Sequence, residues 1–356
     1  MKIVLVTNIP TPYRNPVYDL LSKYKNIDFN VIYCSNIEYN RSWKLNLTEL
    51  KHKYMILSKK KNLRHFNFNI FKILNHKQPD IVITSGFNIT MLVAFFWTFL
   101  NKKKHIPFTD GTIDSEKKLT FLHKIARVIV YKKSFSFLGA SNKSIELYKK
   151  YGISKNKIFK SVLSIDNKKF NLRKIKKEYD LMFSGQFIQR KNPLFFLELF
   201  KILSEDNKNL KALMLGDGIM KNDLINYINK YSLNVYLPGY VQQDDLPLFY
   251  NKSKLFIFPT SNEPWGLVCN EAVASGVPVI TNRLAGCSEE IVINDLNGYV
   301  LSDFDKKKWL KKIKFLLRNN NKVAEFSING KSNLRKYNFK NSAIGIYNAA
   351  MLDIDK

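Results

Sequence analysis

One segment constrains the fold of this chain more than any other, the stretch of residues 255–280 (LFIFPTSNEPWGLVCNEAVASGVPVI). Its first four residues are apolar and precede a proline, which predicts a short buried strand. After a polar loop, apolar residues recur at helical spacing from Gly266 onward. A second apolar run, residues 277–280, predicts another buried strand. The segment therefore predicts a strand–helix–strand unit with its loop at the carboxyl end of a strand, where open parallel sheets bind ligands.

Two glutamates in this segment are candidate binding residues. Glu263 lies in the predicted loop, and Glu271 follows it inside the predicted helix. Between them, the start of the helix at residues 266–268 offers free N–H groups and the positive end of the helix dipole, which suit a phosphate or pyrophosphate. Carboxylates beside such an anion site suit hydroxyl groups, for example those of sugars. On spacing alone, a capping glutamate in the loop and a solvated glutamate on the helix are the alternative.

The run EPWGLVCNEAVASGVPVI resembles the signature of retaining GT-B glycosyltransferases of family 4 (group 1), which use nucleotide sugars. That signature has two glutamates separated by seven residues, a central aromatic–Gly–Leu, and a trailing small–Gly–x–Pro–Val. The matching positions are Glu263, Trp265, Gly266, Leu267, Glu271, Ala272, Gly276, Pro278 and Val279. The resemblance implies an α/β fold of the GT-B type, with two Rossmann-like α/β/α domains that face each other across a cleft.

The resemblance also implies roles for residues of the second half. Glu271 would hold the ribose hydroxyls of the donor, and Glu263 would hold and orient the hydroxyls of its sugar. Arg190 and Lys191 match the basic end of a loop that clamps the diphosphate, although Gln186 stands where arginine is common. Two cations there would neutralise the leaving nucleoside diphosphate without a metal, so neither a metal nor a cofactor is expected. The other donor-binding residues implied are Gly185, Gly216, Tyr240, Val241, Gly266, Leu267 and Val268.

The first half resembles the family only in outline. Its first predicted loop, residues 7–16, contains three prolines and lacks the family's Gly-Gly pair. Its Pro-x-Pro-Tyr-Arg form resembles the loop of members that build bacterial surface polysaccharides. We predict acceptor binding at Arg14 and Asn15, with a surface arginine as the alternative for Arg14. In the family, the strand that ends near Asp110 carries a catalytic residue close to the reacting sugar; Asp110 is our candidate and Asp114 is its rival.

Length and resemblance together predict a two-domain chain. The 356 residues are many for one core. We assign residues 1–172 to an N-terminal Rossmann-like acceptor-binding domain and residues 179–334 to a C-terminal Rossmann-like domain that binds the nucleotide sugar. Residues 335–356 are predicted to form a helix that crosses back to the N-terminal domain. The three cysteines have unrelated spacings, which indicate neither a disulfide framework nor a metal site.

Charge points to anionic partners. Lys and Arg number 58 against 29 Asp and Glu, a net charge of +29, which attracts nucleotide-linked substrates, anionic lipid or nucleic acid. No nucleic-acid-binding motif is present, so nucleic acid is not expected. Residues 89–100 are apolar but too few to span a bilayer; we predict a buried core helix, with an interfacial segment as the alternative. For the basic helix of residues 117–133 we predict a solvated face, with docking on an anionic membrane surface as the alternative.

The predicted protein is a retaining, metal-independent glycosyltransferase of the hexosyltransferase type. It would move a sugar from a nucleotide-diphosphate donor, such as a UDP sugar, to a carbohydrate or lipid-linked acceptor in cell-surface polysaccharide or glycolipid synthesis. The chain begins with a predicted strand and no signal peptide, so we expect a cytoplasmic protein, with peripheral binding to the inner face of the cell membrane as a hypothesis. Three alternatives stay open: a nucleotide-sugar epimerase or sugar phosphorylase of the same fold, a basic nucleic-acid-binding protein, and a non-catalytic paralogue.

Overall fold

The computed structural model describes residues 1–38, 46–58, 65–117, 119–171 and 175–352. The chain forms two units. The first contains Met1–Leu163 together with Asn338–Lys356, and the second contains Ser164–Tyr337. The segment from residue 164 to residue 172, which the sequence analysis assigned to the first domain, therefore lies in the second unit. Residues 172–174, at the predicted boundary between the domains, lie outside the described residues, and so does Trp43.

The first unit is built on a seven-stranded sheet whose paired strands are all parallel. The strands are β1 Lys2–Thr7, β2 Asp28–Tyr33, β3 Lys53–Ile56, β4 Ile81–Thr84, β5 Lys104–Thr109, β6 Phe137–Gly139 and β7 Ile158–Lys160. Their spatial order is β3-β2-β1-β4-β5-β6-β7. Four successive residues of β1, from Ile3 to Val6, are buried, because helices cover both faces of a parallel sheet.

The connections between these strands are helical. Their bounds are α1 Asn15–Leu21, α2 Asn69–Lys77, α3 Ile89–Leu100, α4 Ile113–Glu116, α5 Phe121–Lys133 and α6 Asn142–Lys150. Ser141 caps α6 by accepting a hydrogen bond from the Ser144 backbone N–H at 3.0 Å. Asn88 caps α3 in the same way through the Met91 N–H at 3.0 Å.

The second unit repeats the architecture with six parallel strands. They are β8 Tyr179–Ser184, β9 Ala212–Leu215, β10 Val235–Gly239, β11 Ser253–Phe258, β12 Val279–Asn282 and β13 Gly298–Leu301, in the order β10-β9-β8-β11-β12-β13. The helices are α7 Pro193–Asp206, α8 Lys221–Lys230, α9 Leu246–Asn251, α10 Leu267–Ala274, α11 Lys306–Arg318 and α12 Asn320–Leu334. The predicted strand–helix–strand unit is thus β11, α10 and β12.

The last helix, α13 Phe339–Met351, belongs to the first unit. It packs beside α1 and β7. The Ser136 hydroxyl, just before β6, donates to the Ala349 carbonyl at 2.7 Å. Residues from the two ends of the sequence therefore build one hydrophobic core.

Both sheets have a point at which the direction of strand addition reverses. In the first unit it lies between β1 and β4, and in the second it lies between β8 and β11. At such a point the loops that follow the two neighbouring strands separate and leave a crevice at the carboxyl edge of the sheet. The loops after β8 and β11 are the ones that carry Arg190, Lys191 and Glu263.

One strand was not predicted, and two local predictions were wrong in detail. The unpredicted strand is β3. The predicted helix of residues 117–133 begins at Phe121, after the separate short helix α4. The predicted buried core helix, α3, is buried only on one side, because Phe96, Phe99 and Leu100 are 52%, 53% and 54% exposed. Within the described ranges, no helix is both long and apolar enough to cross a membrane.

Candidate active site

The loops after β8 and β11 are joined by hydrogen bonds. The Arg190 carbonyl accepts from the Thr260 hydroxyl at 2.9 Å and from the Ser261 backbone N–H at 2.8 Å. Residues Gln189–Lys191 form one 3₁₀ turn, and Asn192 then takes the left-handed conformation (φ 55°) before Pro193 starts α7. The loop after β8 is therefore held on the loop after β11, with the Arg190 and Lys191 side chains directed to one place.

Three charged side chains meet at this place. The Arg190 Nη1 donates to Glu263 Oε2 at 2.6 Å, and the Lys191 ammonium pairs with the same oxygen. Arg190 also donates to the Asn262 carbonyl at 3.0 Å. The Lys191 and Glu263 side chains are 11% and 13% exposed, whereas that of Arg190 is 42% exposed. We call these three residues the ion cluster; the structure thus brings together the predicted diphosphate clamp and the predicted sugar-binding glutamate.

The ion cluster carries an excess positive charge. Burial alone would raise the pKa of Glu263, but the charges of Lys191 and Arg190 outweigh it and lower that pKa, so the carboxyl group is ionised. Burial lowers the pKa of Lys191, and the Glu263 carboxylate opposes that shift. One carboxylate balances only one of two cations. A second anion that enters the cluster is therefore favoured electrostatically.

Helix α10 begins beside the ion cluster in the chain. Gly266, before its first residue, has φ 99°, in the left-handed region that favours glycine. A Cβ at this position would lie 2.9 Å from the Phe258 ring. No side chain caps α10, so the first backbone N–H groups, including those of Leu267 and Val268, have no capping partner. The arrangement agrees with an anion site at this helix end.

Glu271 has a different environment from Glu263. It is buried inside α10, only 6% exposed, so the solvated-glutamate alternative was wrong. The Tyr250 hydroxyl on α9 donates to its Oε2 at 2.8 Å. Burial raises the pKa of Glu271 to about 7, and the Tyr250 hydrogen bond opposes the shift. Burial also raises the pKa of Tyr240, and the Glu271 charge adds to that effect, which indicates that the two side chains are neighbours.

The remaining donor-binding candidates follow the ends of β8, β9 and β10. Gly185 donates its N–H to the Leu215 carbonyl at 2.9 Å, and Gly216 donates to the Gly239 carbonyl at 2.9 Å. A Cβ on Gly216 would lie 1.9 Å from the Gly185 oxygen, so these two loops can approach this closely only because position 216 has no side chain. Tyr240 and Val241 come directly after β10, with Tyr240 39% exposed.

The first-unit candidates Arg14 and Asn15 have internal partners. Arg14 is 9% exposed; its Nη1 donates to the Ser161 and Ser342 hydroxyls, each at 3.2 Å. Its guanidinium lies 4.5 Å from the centre of the Phe108 ring. The surface-arginine alternative was therefore wrong. Asn15 accepts from the Tyr33 hydroxyl at 2.9 Å. Both side chains are buried and hydrogen-bonded within the first unit, and their acceptor-binding role stays a prediction.

The two aspartates proposed for catalysis follow β5. Asp110 is exposed directly after the strand, and its charge raises the pKa of buried Arg14 against the lowering effect of burial. Asp114, in α4, pairs with Lys117 at 2.8 Å on the surface. The catalytic role of Asp110 stays a prediction.

Sequence reasoning missed two groups of polar residues. One is Tyr250, the partner of Glu271; nothing in the sequence couples residues 21 positions apart. The other lies where the first sheet reverses: Asn88 donates to Asn8 at 2.9 Å, and His65 pairs with Glu38 at 2.9 Å. The positions of Asn8 and Asn88 after predicted strands are the signal that could have identified this group.

Within the described part of the chain, no group of three or more His, Cys, Asp or Glu side chains is arranged to hold a metal ion. The cysteines Cys34, Cys269 and Cys287 are buried and not in disulfides.

Comparisons with known proteins concern the second unit and the chain as a whole. Residues 164–333 match the family model of glycosyl transferases group 1. An uncharacterised 41.2 kDa protein in the cps region of Klebsiella pneumoniae is 26% identical over 302 residues, 78% of this chain and 81% of that protein. The capsular polysaccharide biosynthesis glycosyltransferase CapM of Staphylococcus aureus is 26% identical over 282 residues, 73% of each chain.

Among solved structures, HepE of Anabaena in complex with UDP has a TM-score of 0.81 and 13% identity, and the match covers 99% of this chain and 100% of that one. At this identity the likeness concerns the fold, and it confirms the predicted class of two parallel-sheet α/β domains of the GT-B type. Residues 164–333, which contain the ion cluster and Glu271, therefore match the glycosyl transferases group 1 family, and together with the relatives this match supports glycosyltransferase activity for a chain of the GT-B fold.

Proposed function

We propose that this chain is a retaining, metal-independent family 4 hexosyltransferase that moves a sugar from a UDP-linked donor to an acceptor hydroxyl. The acceptor would be a growing carbohydrate or a lipid-linked sugar in cell-surface polysaccharide or glycolipid synthesis. CapM is named for capsular polysaccharide synthesis, the Klebsiella protein lies in a cps region, and HepE was solved with UDP. These relatives support the choice of polysaccharide and of UDP.

One observation carries the proposal: Arg190 and Lys191 converge on the single carboxylate of Glu263. Glu263 balances part of their charge. A donor diphosphate would supply the further negative charge, with Arg190 able to grip it through two N–H groups and Lys191 acting as a point charge. Glu263 would then accept hydrogen bonds from the donor sugar, and Glu271 would accept them from the ribose.

Transfer would proceed on one face of the donor sugar. The bond from the anomeric carbon to the diphosphate oxygen breaks as the bond to the acceptor oxygen forms, and the acceptor proton passes to the leaving diphosphate. Arg190, Lys191 and the amides of residues 266–268 would stabilise the charge that develops on that leaving group. Arg190 and Lys191 would neutralise the leaving diphosphate, as a divalent metal ion does in other enzymes. Their presence supports a metal-independent reaction. Asp110 is our proposal for the further catalytic group in the first unit.

The binding part of the proposal is tested by a thermal-shift screen of UDP-, GDP- and ADP-linked sugars on the full chain. We expect stabilisation by one UDP sugar in the wild type and its loss in Glu271→Ala and Arg190→Ala. Arg318→Ala, which removes an exposed arginine at the end of α11, is the matched control and should keep the full shift. No shift with any nucleotide sugar, together with a salt-sensitive shift with DNA, would indicate that the chain is a nucleic-acid-binding protein and not a glycosyltransferase.

The chemical part of the proposal is tested on the transfer product. Nuclear magnetic resonance should find the same anomeric configuration in the product as in the donor, and transfer should continue in EDTA. An inverted product refutes retention, and activity lost in EDTA but restored by Mg²⁺ refutes metal independence.

We also propose that the protein works at the inner face of the cytoplasmic membrane, since a lipid-linked acceptor would be held there. The surface that would make this contact belongs to the first unit.

A further inference from the structure

Helix α5 has an apolar face directed to solvent. Val130 and Tyr131 are buried against the first unit, yet Phe121, Leu122 and Ile129 are 76%, 75% and 53% exposed. A helix on the surface of a water-soluble domain normally places polar residues on its outer side. The lysines of this helix are solvated as predicted, but large apolar side chains share the exposed face with them.

Helix α3 has the same property. Trp97 and Ala94 are fully buried on its inner side, whereas Phe96, Phe99 and Leu100 are each more than half exposed on its outer side. The helix contains no charged residue. Its outer side therefore exposes large apolar groups without the polar residues that usually separate them.

The two helices lie side by side. Strands β4, β5 and β6 follow one another in the sheet, and right-handed crossovers put the helices between them on the same face. Phe95 of α3 shares a buried cluster with Val130 and Tyr131 of α5. The Lys133 ammonium of α5 lies 5.6 Å from the centre of the Phe99 ring of α3. The exposed apolar residues thus form one surface, the α3–α5 face: Phe96, Phe99, Leu100, Phe121, Leu122 and Ile129.

The charges on this face are all positive. Helix α5 carries four basic residues and no acidic residue. Arg127 is paired with Glu116 at 2.8 Å. Lys124, Lys132 and Lys133 are exposed, and no carboxylate of the described residues pairs with them. Large apolar side chains with unpaired lysines among them are typical of a helix that lies in the interface of an anionic bilayer.

We propose that the α3–α5 face docks on an anionic membrane surface. The aromatic and aliphatic side chains would enter the boundary between headgroups and acyl chains, while Lys124, Lys132 and Lys133 would meet lipid phosphates. A second copy of this chain fits the face less well. In a twofold dimer the same patch meets itself, so the three lysines of one copy would face those of the other without an intervening carboxylate.

The position of the α3–α5 face indicates which class of acceptor the protein uses. Phe121 and Leu122 lie in the first turn of α5, which follows β5 and so begins at the carboxyl edge of the first sheet. Open parallel sheets bind ligands at that edge. A sugar acceptor anchored in the bilayer by a lipid would therefore reach the first unit from the docked membrane. This choice of acceptor rests on the proposed function, whereas the docking itself does not.

The test is flotation of the full-length protein with vesicles of phosphatidylcholine alone or mixed equally with phosphatidylglycerol. We expect binding to the mixed vesicles only, weaker at high salt. Phe121→Ser/Leu122→Ser should lower the binding constant by about tenfold or more. The variant Lys124→Ala/Lys132→Ala/Lys133→Ala should bind more weakly and lose most of its salt dependence.

Two matched controls change the same chemistry elsewhere. Ile219→Ser removes a side chain that is 88% exposed in the second unit, and Lys307→Ala/Lys311→Ala/Lys331→Ala removes three exposed lysines of that unit; both should bind as the wild type does. Each variant should keep the wild-type melting temperature and UDP-induced shift, which excludes unfolding as the cause of lost flotation.

Three results would overturn the proposal: equal flotation of the wild type and Phe121→Ser/Leu122→Ser, no preference for phosphatidylglycerol, or a wild-type dimer that this double variant dissociates while neither binds vesicles. The last result would assign the face to a second copy of the chain. If no nucleotide sugar shifts any variant but flotation behaves as expected, the proposed function fails and the docking surface stands.

Discussion

At the scale of single residues, the two signature glutamates have opposite electrostatic environments. Glu263 lies between two cations that keep it ionised, whereas Glu271 is buried next to a neutral tyrosine. The first arrangement lowers the pKa of a carboxyl group and the second raises it. The pKa values of Glu263 and Glu271 are therefore shifted in opposite directions, although both glutamates belong to the same short segment.

The raised pKa of Glu271 predicts a pH-dependent stability. Because the folded pKa of about 7 lies above the ordinary 4.5, the folded protein holds the Glu271 proton more tightly than the unfolded chain. This contribution to stability is fully present below pH 4.5 and is lost as the pH rises through 7. Glu271→Gln should therefore gain stability relative to the wild type between these pH values, by at most about 3 kcal/mol.

Urea unfolding of both proteins across this pH range measures the effect. Glu325→Gln, at a half-exposed glutamate paired with Lys322 on the surface, is the control and should differ from the wild type by the same small amount at each pH. A constant difference between Glu271→Gln and the wild type would contradict the buried, neutral carboxyl group.

At the scale of elements, the loops after β8 and β9 determine where the proposed donor-binding backbone lies. Gly216 has φ 146°, and a Cβ there would meet the Gly185 oxygen at 1.9 Å, a backbone atom that no side-chain rotation can move away. The close approach of these loops therefore depends on glycine.

Gly216→Ala should accordingly destabilise the second unit by more than about 3 kcal/mol, because one of the two loops must shift. Gly152→Ala is the matched control: its φ is 79°, but nothing lies within 4 Å of its added Cβ, so only backbone strain of about 1 kcal/mol applies. Denaturant unfolding compares the two. Similar losses of stability would mean that the loops adjust without cost.

Many elements could be predicted from the sequence because their periodicity is unambiguous. The strand–helix–strand order around α10 was predicted correctly. Strand β3 was missed because three of its four residues are exposed or polar. Lys117 ends α4 and does not begin a longer helix; the basic residues before Phe121 carry no signal for that break.

At the scale of the whole molecule, the first unit is assembled from both ends of the chain. Arg14 connects the loop after β1 with Ser161, after β7, and with Ser342 in α13, which is 328 positions away. Arg14→Met removes the hydrogen bonds of the guanidinium and should lower the stability of the first unit by about 1–3 kcal/mol. The loss is limited because the Ser161 and Ser342 hydroxyls can still bond each other at 2.8 Å.

Differential scanning calorimetry should then show only one of two unfolding transitions shifted downward in Arg14→Met. The unshifted transition should be the one that a bound UDP sugar raises, since the proposed donor site lies in the second unit. Equal shifts of both transitions would mean that the two units unfold together.

The sequence by itself determined the α/β class, the central strand–helix–strand unit and, through its resemblance to group 1 glycosyltransferases, the residues of the ion cluster. Local periodicity, glycine and proline carry that information. Only the tertiary structure decided that Tyr250 is the partner of Glu271, that Arg14 is buried, and that the apolar side of α5 faces outward. Helix α5 is apolar on two sides, so periodicity cannot say which one the core covers; contacts between residues distant in sequence decide it.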